Sequence, residues 1–188
     1  MKQRGFTLIE LLVVIAIIGV LAAIIAPNAF KAIEKAKITR LIADIKNIKT
    51  AGYIYYSDTG DWPLAGVDSY DPGTGDENGF LYFLEDDGSG KWDGPYLEKY
   101  PGKNPWGGTY RYWKSNITGT VRGPNDDTIS VNGTKCAALT INRFPNSSTR
   151  DRVDEAIRKT LGLYSYVGGN GSGTDGYYIT VLIWMEKM

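Results

Sequence analysis

A run of twenty residues without a charge, Leu11 to Phe30, constrains this chain more than any other feature. At about 1.5 Å per residue such a run makes a helix of about 30 Å, the thickness of a bilayer's hydrocarbon core. The chain therefore begins in a membrane. One carboxylate, Glu10, stands at the head of the run, and the charged leader Met1-Lys2-Gln3-Arg4 and Gly5 lie before it.

An ionised acid at a membrane helix is costly unless it is solvated at the headgroups or paired. At headgroup level Glu10 needs nothing. Cleavage after Gly5 has a different consequence. It removes the leader, makes Phe6 the first residue, and creates an α-amine four residues from Glu10. An amine of this kind has a reference pKa of about 7.7–8.0 and is largely cationic at neutral pH. When copies of the helix pack side by side with an axial offset, the amine of one meets Glu10 of its neighbour, and both charges leave lipid as a pair.

Lys2-Gln3-Arg4-Gly5, then Phe6-Thr7-Leu8-Ile9-Glu10, then an uncharged run holding Gly19 and Pro27, resembles the prepilin signal of the type IV pilin and type II secretion pseudopilin superfamily. The resemblance implies that a prepilin peptidase cuts between Gly5 and Phe6 and methylates the amine of Phe6. It implies that Glu10 guides subunit docking and that Pro27 marks where the N-terminal helix bends or melts. The implied partners are that peptidase, an inner-membrane assembly platform, further copies of the chain and related pilins. The implied location is the inner membrane, single-pass, with the remainder periplasmic or outside the cell, and later a filament. A secretory signal peptide has an apolar core of only about 7–15 residues, and a permanent anchor leaves Gly5 and Glu10 without a role.

Lys+Arg and Asp+Glu both number 21, and loss of Lys2 and Arg4 leaves 19 against 21, a side-chain charge of −2. That balance carries no electrostatic footprint for nucleic acid. The chain has no His, which removes the commonest general base and zinc ligand. Its single cysteine, Cys136, cannot close an intramolecular disulfide and reads as a small buried hydrophobe. We expect no enzyme.

Beyond Pro27, Ile38, Leu41, Ile42, Ile45 and Ile48 recur at helical spacing among Lys35, Lys37, Lys46 and Lys49. The helix is expected from Phe6 to about Tyr56, kinked at Pro27, weak at Gly52 and stopped by Gly60. Its divisions are a leader (1–5), a membrane and assembly half (6–30), an amphipathic half (31–57) and a globular domain (58–188). Tyr53, Tyr55 and Tyr56 are read as packing residues.

Residues 58–93 are rich in turn formers, interrupted by Phe80-Leu81-Tyr82-Phe83-Leu84, a short helix or strand in the core. The acids there, among them Asp71, Asp76 and Asp86, are candidate calcium ligands, but no spacing matches an EF-hand and solvated turns are the preferred reading. No cofactor is otherwise expected. Trp92-Asp93-Gly94-Pro95-Tyr96-Leu97 and Asn104-Pro105-Trp106-Gly107-Gly108-Thr109-Tyr110 resemble a segment of the major pseudopilin of type II secretion systems, with Asn104 in place of the usual Asp and Thr109 in place of Pro. Thr109–Trp113 reads as a strand launched from that segment.

Farther on, Ile129–Val131 and Cys136–Ile141 read as a hairpin around Asn132-Gly133. Residues 149–161 read as a helix capped by Ser148 and ended by Gly162, and Tyr177–Trp184 as a central strand buried on both faces. Four Asn-X-Ser/Thr sites, at Asn116, Asn132, Asn146 and Asn170, are ascribed to composition. The fold expected is α+β, a long N-terminal helix packed on a C-terminal antiparallel sheet. The function expected is a structural subunit of a type IV pilus-like or pseudopilus filament, the alternative being a scarce tip-located pilin, adhesin or tethered binding protein.

Overall fold

The structure, a computed structural model, describes residues 6–63, 80–99, 102–169 and 176–186. One helix, α1 (Leu8–Thr59), runs through Pro27, where a kink was expected, without a break. Gly60 ends it at φ 85°, its N–H bonded to the carbonyl of Tyr56 at 2.9 Å. Glycine reaches that left-handed backbone without steric cost, which is why the helix stops there.

The chain forms two units, Met1–Lys37 and Ile38–Met188. Within the first, the apolar side chains from Phe6 to Phe30 are exposed, on a helix long and apolar enough to cross a membrane. The second unit holds the rest of α1 and a domain made of α2 (Leu81–Leu84), β1 (Tyr110–Arg122), β2 (Thr128–Phe144), α3 (Ser147–Leu161), β3 (Tyr164–Gly168) and β4 (Tyr177–Met185). All four strands pair antiparallel in the order β1-β2-β4-β3, and a single pair, Arg122 with Ser165, closes the sheet on itself.

The main core lies on one face of this sheet. Leu41, Ile45 and Ile48 of α1 meet Tyr110 and Tyr112 of β1, Leu139 and Ile141 of β2, and Ile179 and Val181 of β4, together with Val153 and Ile157 of α3. Alternate strand residues supply that face, as the period of two requires. Phe80 and Phe83 from α2 complete it. The opposite face carries a smaller core of Val121, Val131, Cys136, Ala138 and Leu182, so the far end of the β1–β2 hairpin folds back over its own sheet. Cys136 is fully buried there, and burial pushes its thiol up to about 11. As foreseen, β4 is interior to the sheet, with Ile179 to Ile183 buried.

The expected hairpin at Asn132-Gly133 is not a turn. β2 runs through it, and the reversal occurs at Gly123–Asp127, where the Gly123 N–H bonds the Asp127 carbonyl at 2.8 Å and Asp126 takes φ 61°. Asn132 and Gly133 instead form a β-bulge opposite Thr118, with Gly133 at φ 63° and its N–H donating to the Thr118 hydroxyl at 3.0 Å. The left-handed preference of Asn-Gly is thus satisfied inside a strand. The α3 cap also differs by position: the Asn146 carboxamide, not Ser148, accepts from the Thr149 N–H at 2.8 Å, because Asn146 is the last extended residue before the helix.

α3 is held to the domain by a buried ion network. Arg158 Nε donates to Asp154 at 3.0 Å, and its Nη1 donates to Asp126 at 2.6 Å and to the Gly123 carbonyl at 2.7 Å. Asp154 also accepts from the Ser165 hydroxyl of β3. One guanidinium therefore ties α3 to the β1–β2 turn, while its carboxylate partner ties α3 to β3. Gly52, expected to weaken α1, is instead a packing device: a Cβ there would lie 2.4 Å from the ring of Trp62, itself fully buried.

Two substitutions in the detergent-solubilised full chain follow from these contacts. Arg158→Met strands Asp154 and lowers unfolding stability by about 3–5 kcal/mol in denaturant titration. Gly52→Ala costs about 1–3 kcal/mol by overpacking, although Ala is the better helix former. A Gly52→Ala midpoint equal to or above the parent's shows that Trp62 is not fixed by that contact.

Candidate functional site

The residues singled out by sequence lie in two places. Phe6 and Glu10 flank the start of α1 and Pro27 sits within it, whereas Gly5, Asp71 and Asp76 lie outside the described residues.

At the start of α1, Thr7 precedes the first helical residue and Glu10 occupies the third position of the first turn. The Glu10 carboxylate oxygen Oε2 accepts from the Thr7 N–H at 2.8 Å and from the Thr7 hydroxyl at 2.7 Å. The Thr7 hydroxyl in turn accepts from the Glu10 N–H at 3.3 Å. This is the reciprocal capping box, which satisfies amides that the first turn leaves without helical partners. The signal was legible as Thr-x-x-Glu ahead of an apolar run, and charge arguments alone pass over it. The acid that heads the uncharged run is therefore also part of the device that starts the helix. Its placement at the N-terminal end also suits the helix dipole.

Around it every apolar residue is open. Phe6 is 76% exposed and Leu8 82%. Among the described residues of this unit none buries this surface, and such a helix is at home in lipid or against other helices.

The second place is the loop region between α1 and β1. Asp86 and Asp87, adjacent acids of the turn-rich loop, accept from the N–H groups of Gly88 (2.9 Å) and Ser89 (2.8 Å), and Asp87 also accepts from the Tyr55 hydroxyl at the end of α1. They organise the loop, and burial together with Asp87 holds the Tyr55 phenol well above its ordinary pKa. Among the described residues no group of three or more His, Cys, Asp or Glu is placed to hold a metal. Tyr55 is buried against Tyr96, as a packing residue should be, while Tyr53 and Tyr56 stay half exposed beside Trp62.

The segment leading into β1 is fastened mainly by backbone and side-chain amides. Trp92 Nε1 donates to the Tyr82 carbonyl at 3.0 Å, and the N–H groups of Tyr96 and Leu97 both donate to the Phe83 carbonyl. Asn104, buried, donates through Nδ2 to the Asn142 carbonyl at 2.8 Å and accepts from Trp106 and Gly108 N–H. An aspartate could accept but not donate, so here the carboxamide does what a carboxylate cannot. Thr109, whose N–H donates to Asn142 at 2.8 Å, likewise makes a bond that proline lacks.

Two family models match the chain: "Prokaryotic N-terminal methylation motif" over residues 1–26 and "PilW, C-terminal" over residues 32–122. The chain is 31% identical over 124 residues to a protein of Vibrio cholerae named type II secretion system core protein G, covering 64% of this chain and 77% of that one. It is 34% identical over 131 residues to the protein of the same name from Pseudomonas aeruginosa, covering 66% and 80%. A shorter similarity, 54% over 50 residues, links it to the fimbrial protein EcpB of Eikenella corrodens, covering 27% and 31%. No solved structure matches.

The capping box predicts a local effect. In detergent micelles, Thr7→Val removes the hydroxyl and keeps the shape, and amide exchange in the first turn of α1 rises about fivefold with no change beyond Gly19. Unchanged exchange in that turn means that Thr7 does not cap it.

Proposed function

This chain belongs to the type IV pilin and type II secretion pseudopilin superfamily, and on that premise we propose that it is a structural subunit of a pseudopilus filament, cut by prepilin peptidase and assembled through its N-terminal helix. The observation that carries the reading is the pairing of one uncovered apolar helix with an acid at its head. A soluble domain would not leave that surface bare, and in a plain membrane anchor the acid would serve only as a helix cap. Relatives named type II secretion system core protein G, matched over more than three quarters of their length, favour the pseudopilus over a surface pilus.

In this reading the subunit waits in the inner membrane as a single-span protein with its domain in the periplasm. Cleavage between Gly5 and Phe6 releases the leader, and methylation follows on the Phe6 amine. Glu10 then meets the amine of a neighbouring copy, so that two charges enter the apolar filament interior together rather than alone. Pro27, which has no N–H to donate, is where the helix yields during packing. The further partners are the inner-membrane assembly platform and related pilins. Neither a metal nor a cofactor enters the reading, and the chain acts by polymerising rather than by catalysis.

A second reading, a scarce subunit at a filament tip, is favoured by one fact: about a third of this chain lies outside the alignment with the Vibrio relative. Abundance separates the two, because a main subunit dominates sheared filaments.

The deciding experiment is N-terminal sequencing and mass analysis of the chain recovered from the cell envelope, beside the filament yield of Glu10→Val. The expected results are a chain that starts at N-methylated Phe6 and a variant that is cut normally yet forms no filaments. A chain still starting at Met1 overturns the processing scheme, and a Glu10→Val variant that polymerises like the parent overturns charge-guided docking.

A further inference from the structure

The uncharged run of α1 is bounded by Glu10 on one side and Lys31 on the other. Along a continuous helix, 21 residue steps advance about 31 Å, against a hydrocarbon core of about 30 Å. The two charged ends therefore reach opposite headgroup layers at once, with no slack. A slide of one turn, about 5 Å, would carry one of them into hydrocarbon.

What lies just past the run is basic. Lys31 and Lys35 are exposed and share a helix side at i and i+4, Lys37 follows, and Glu34 is the one acid among residues 31–37. These lysines fall within about 9 Å of axial rise, comparable to the Debye length at physiological salt, so they act on one charged surface together. On the reading above they lie on the flank that crosses the membrane, where basic residues oppose that orientation rather than set it. Removal of Lys2 and Arg4 with the leader would leave this flank as the basic one. Orientation does not account for the cluster, and headgroup-level position together with charge complementarity does.

We propose that Lys31, Lys35 and Lys37 form a collar that binds anionic phospholipid headgroups of the leaflet on the domain side, holding the helix at the depth that keeps Glu10 at the opposite interface. This rests on the reading of the chain as a membrane resident before assembly. The collar is a depth stop: it keeps the acid in water until a neighbouring amine is offered. Extraction into a filament must then release the collar from lipid as well as the helix.

The test uses the processed chain, beginning at Phe6, in vesicles of phosphatidylcholine and phosphatidylglycerol, with spin-labelled versions of each lipid reporting the fraction immobilised on the protein. The parent is expected to prefer phosphatidylglycerol at least about fivefold, the effect of a single basic residue near an anionic surface, and the triple variant Lys31→Gln, Lys35→Gln, Lys37→Gln to fall toward one. Lys46→Gln with Lys49→Gln, more than a Debye length farther along α1, is expected to keep the parent's preference. Equal affinity of the parent for both lipids, or full preference in the triple variant, overturns the collar while leaving filament assembly standing. Failure of the parent to float with the vesicles overturns the membrane reading, and the collar falls with it.

Discussion

The burial of one stripe of α1, Leu41, Ile45 and Ile48, against the face of the sheet made by Tyr110, Tyr112, Leu139, Ile141, Ile179 and Val181 is the contact on which the domain depends. Each such side chain contributes about 1.5–3 kcal/mol when withdrawn from water. The polar ties follow from it. The Tyr110 hydroxyl reaches Asp44 of α1 at 2.6 Å, and the Tyr112 hydroxyl reaches the Pro63 carbonyl just past the helix at 3.0 Å. Burial and Asp44 hold the Tyr110 phenol far above its ordinary range, so at neutral pH it stays a donor. The same helix supplies Gly52 as a notch for Trp62, which in turn stacks near Trp184 of β4. Helix and sheet are thus joined through rings whose polar atoms are mostly satisfied by the chain segments that cross between them.

Much of this was legible in the sequence because it depends on period. The 3.6-residue recurrence from Ile38 to Ile48 marked the buried stripe, the unbroken apolar run marked β4 as an inner strand, and Gly60 and Gly162 marked two helix ends where φ is positive. What was not legible depended on which of two competing local devices the tertiary structure would choose. Asn132-Gly133 offers left-handed backbone, and a hairpin turn and a bulge use it equally well. The choice fell to the Gly123–Asp127 reversal, which lets β1 and β2 grow to 13 and 17 residues. β3 went unread, being five residues of Tyr, Ser, Val and Gly without a distinctive pattern.

The Arg158 network shows a second limit. Asp154 and Arg158 stand at i and i+4 on α3, a spacing that on sequence alone describes a solvated surface pair of small value. They are buried because the β1–β2 turn, distant in sequence, brings Asp126 and the Gly123 carbonyl onto the guanidinium. The same spacing at Glu155 and Lys159, one residue on, remains at the surface. Identical local codes therefore acquire different weights, and only the long-range fold assigns them.

At the membrane end the same economy applies to a single acid. Both bonds from Thr7 fall on Oε2 of Glu10, so the helix cap engages one oxygen of the carboxylate. A carboxylate offers about four acceptor positions over its two oxygens. The proposed pairing with an amine of another copy would therefore leave the first turn of α1 intact, because the cap already holds the carboxylate through its other oxygen. Docking of the kind proposed would then spend little entropy on ordering the side chain it recognises. On the proposed docking, the acid's local role in the cap and its role between copies would be additive, and that would offset the cost of a carboxylate at the head of an uncharged helix.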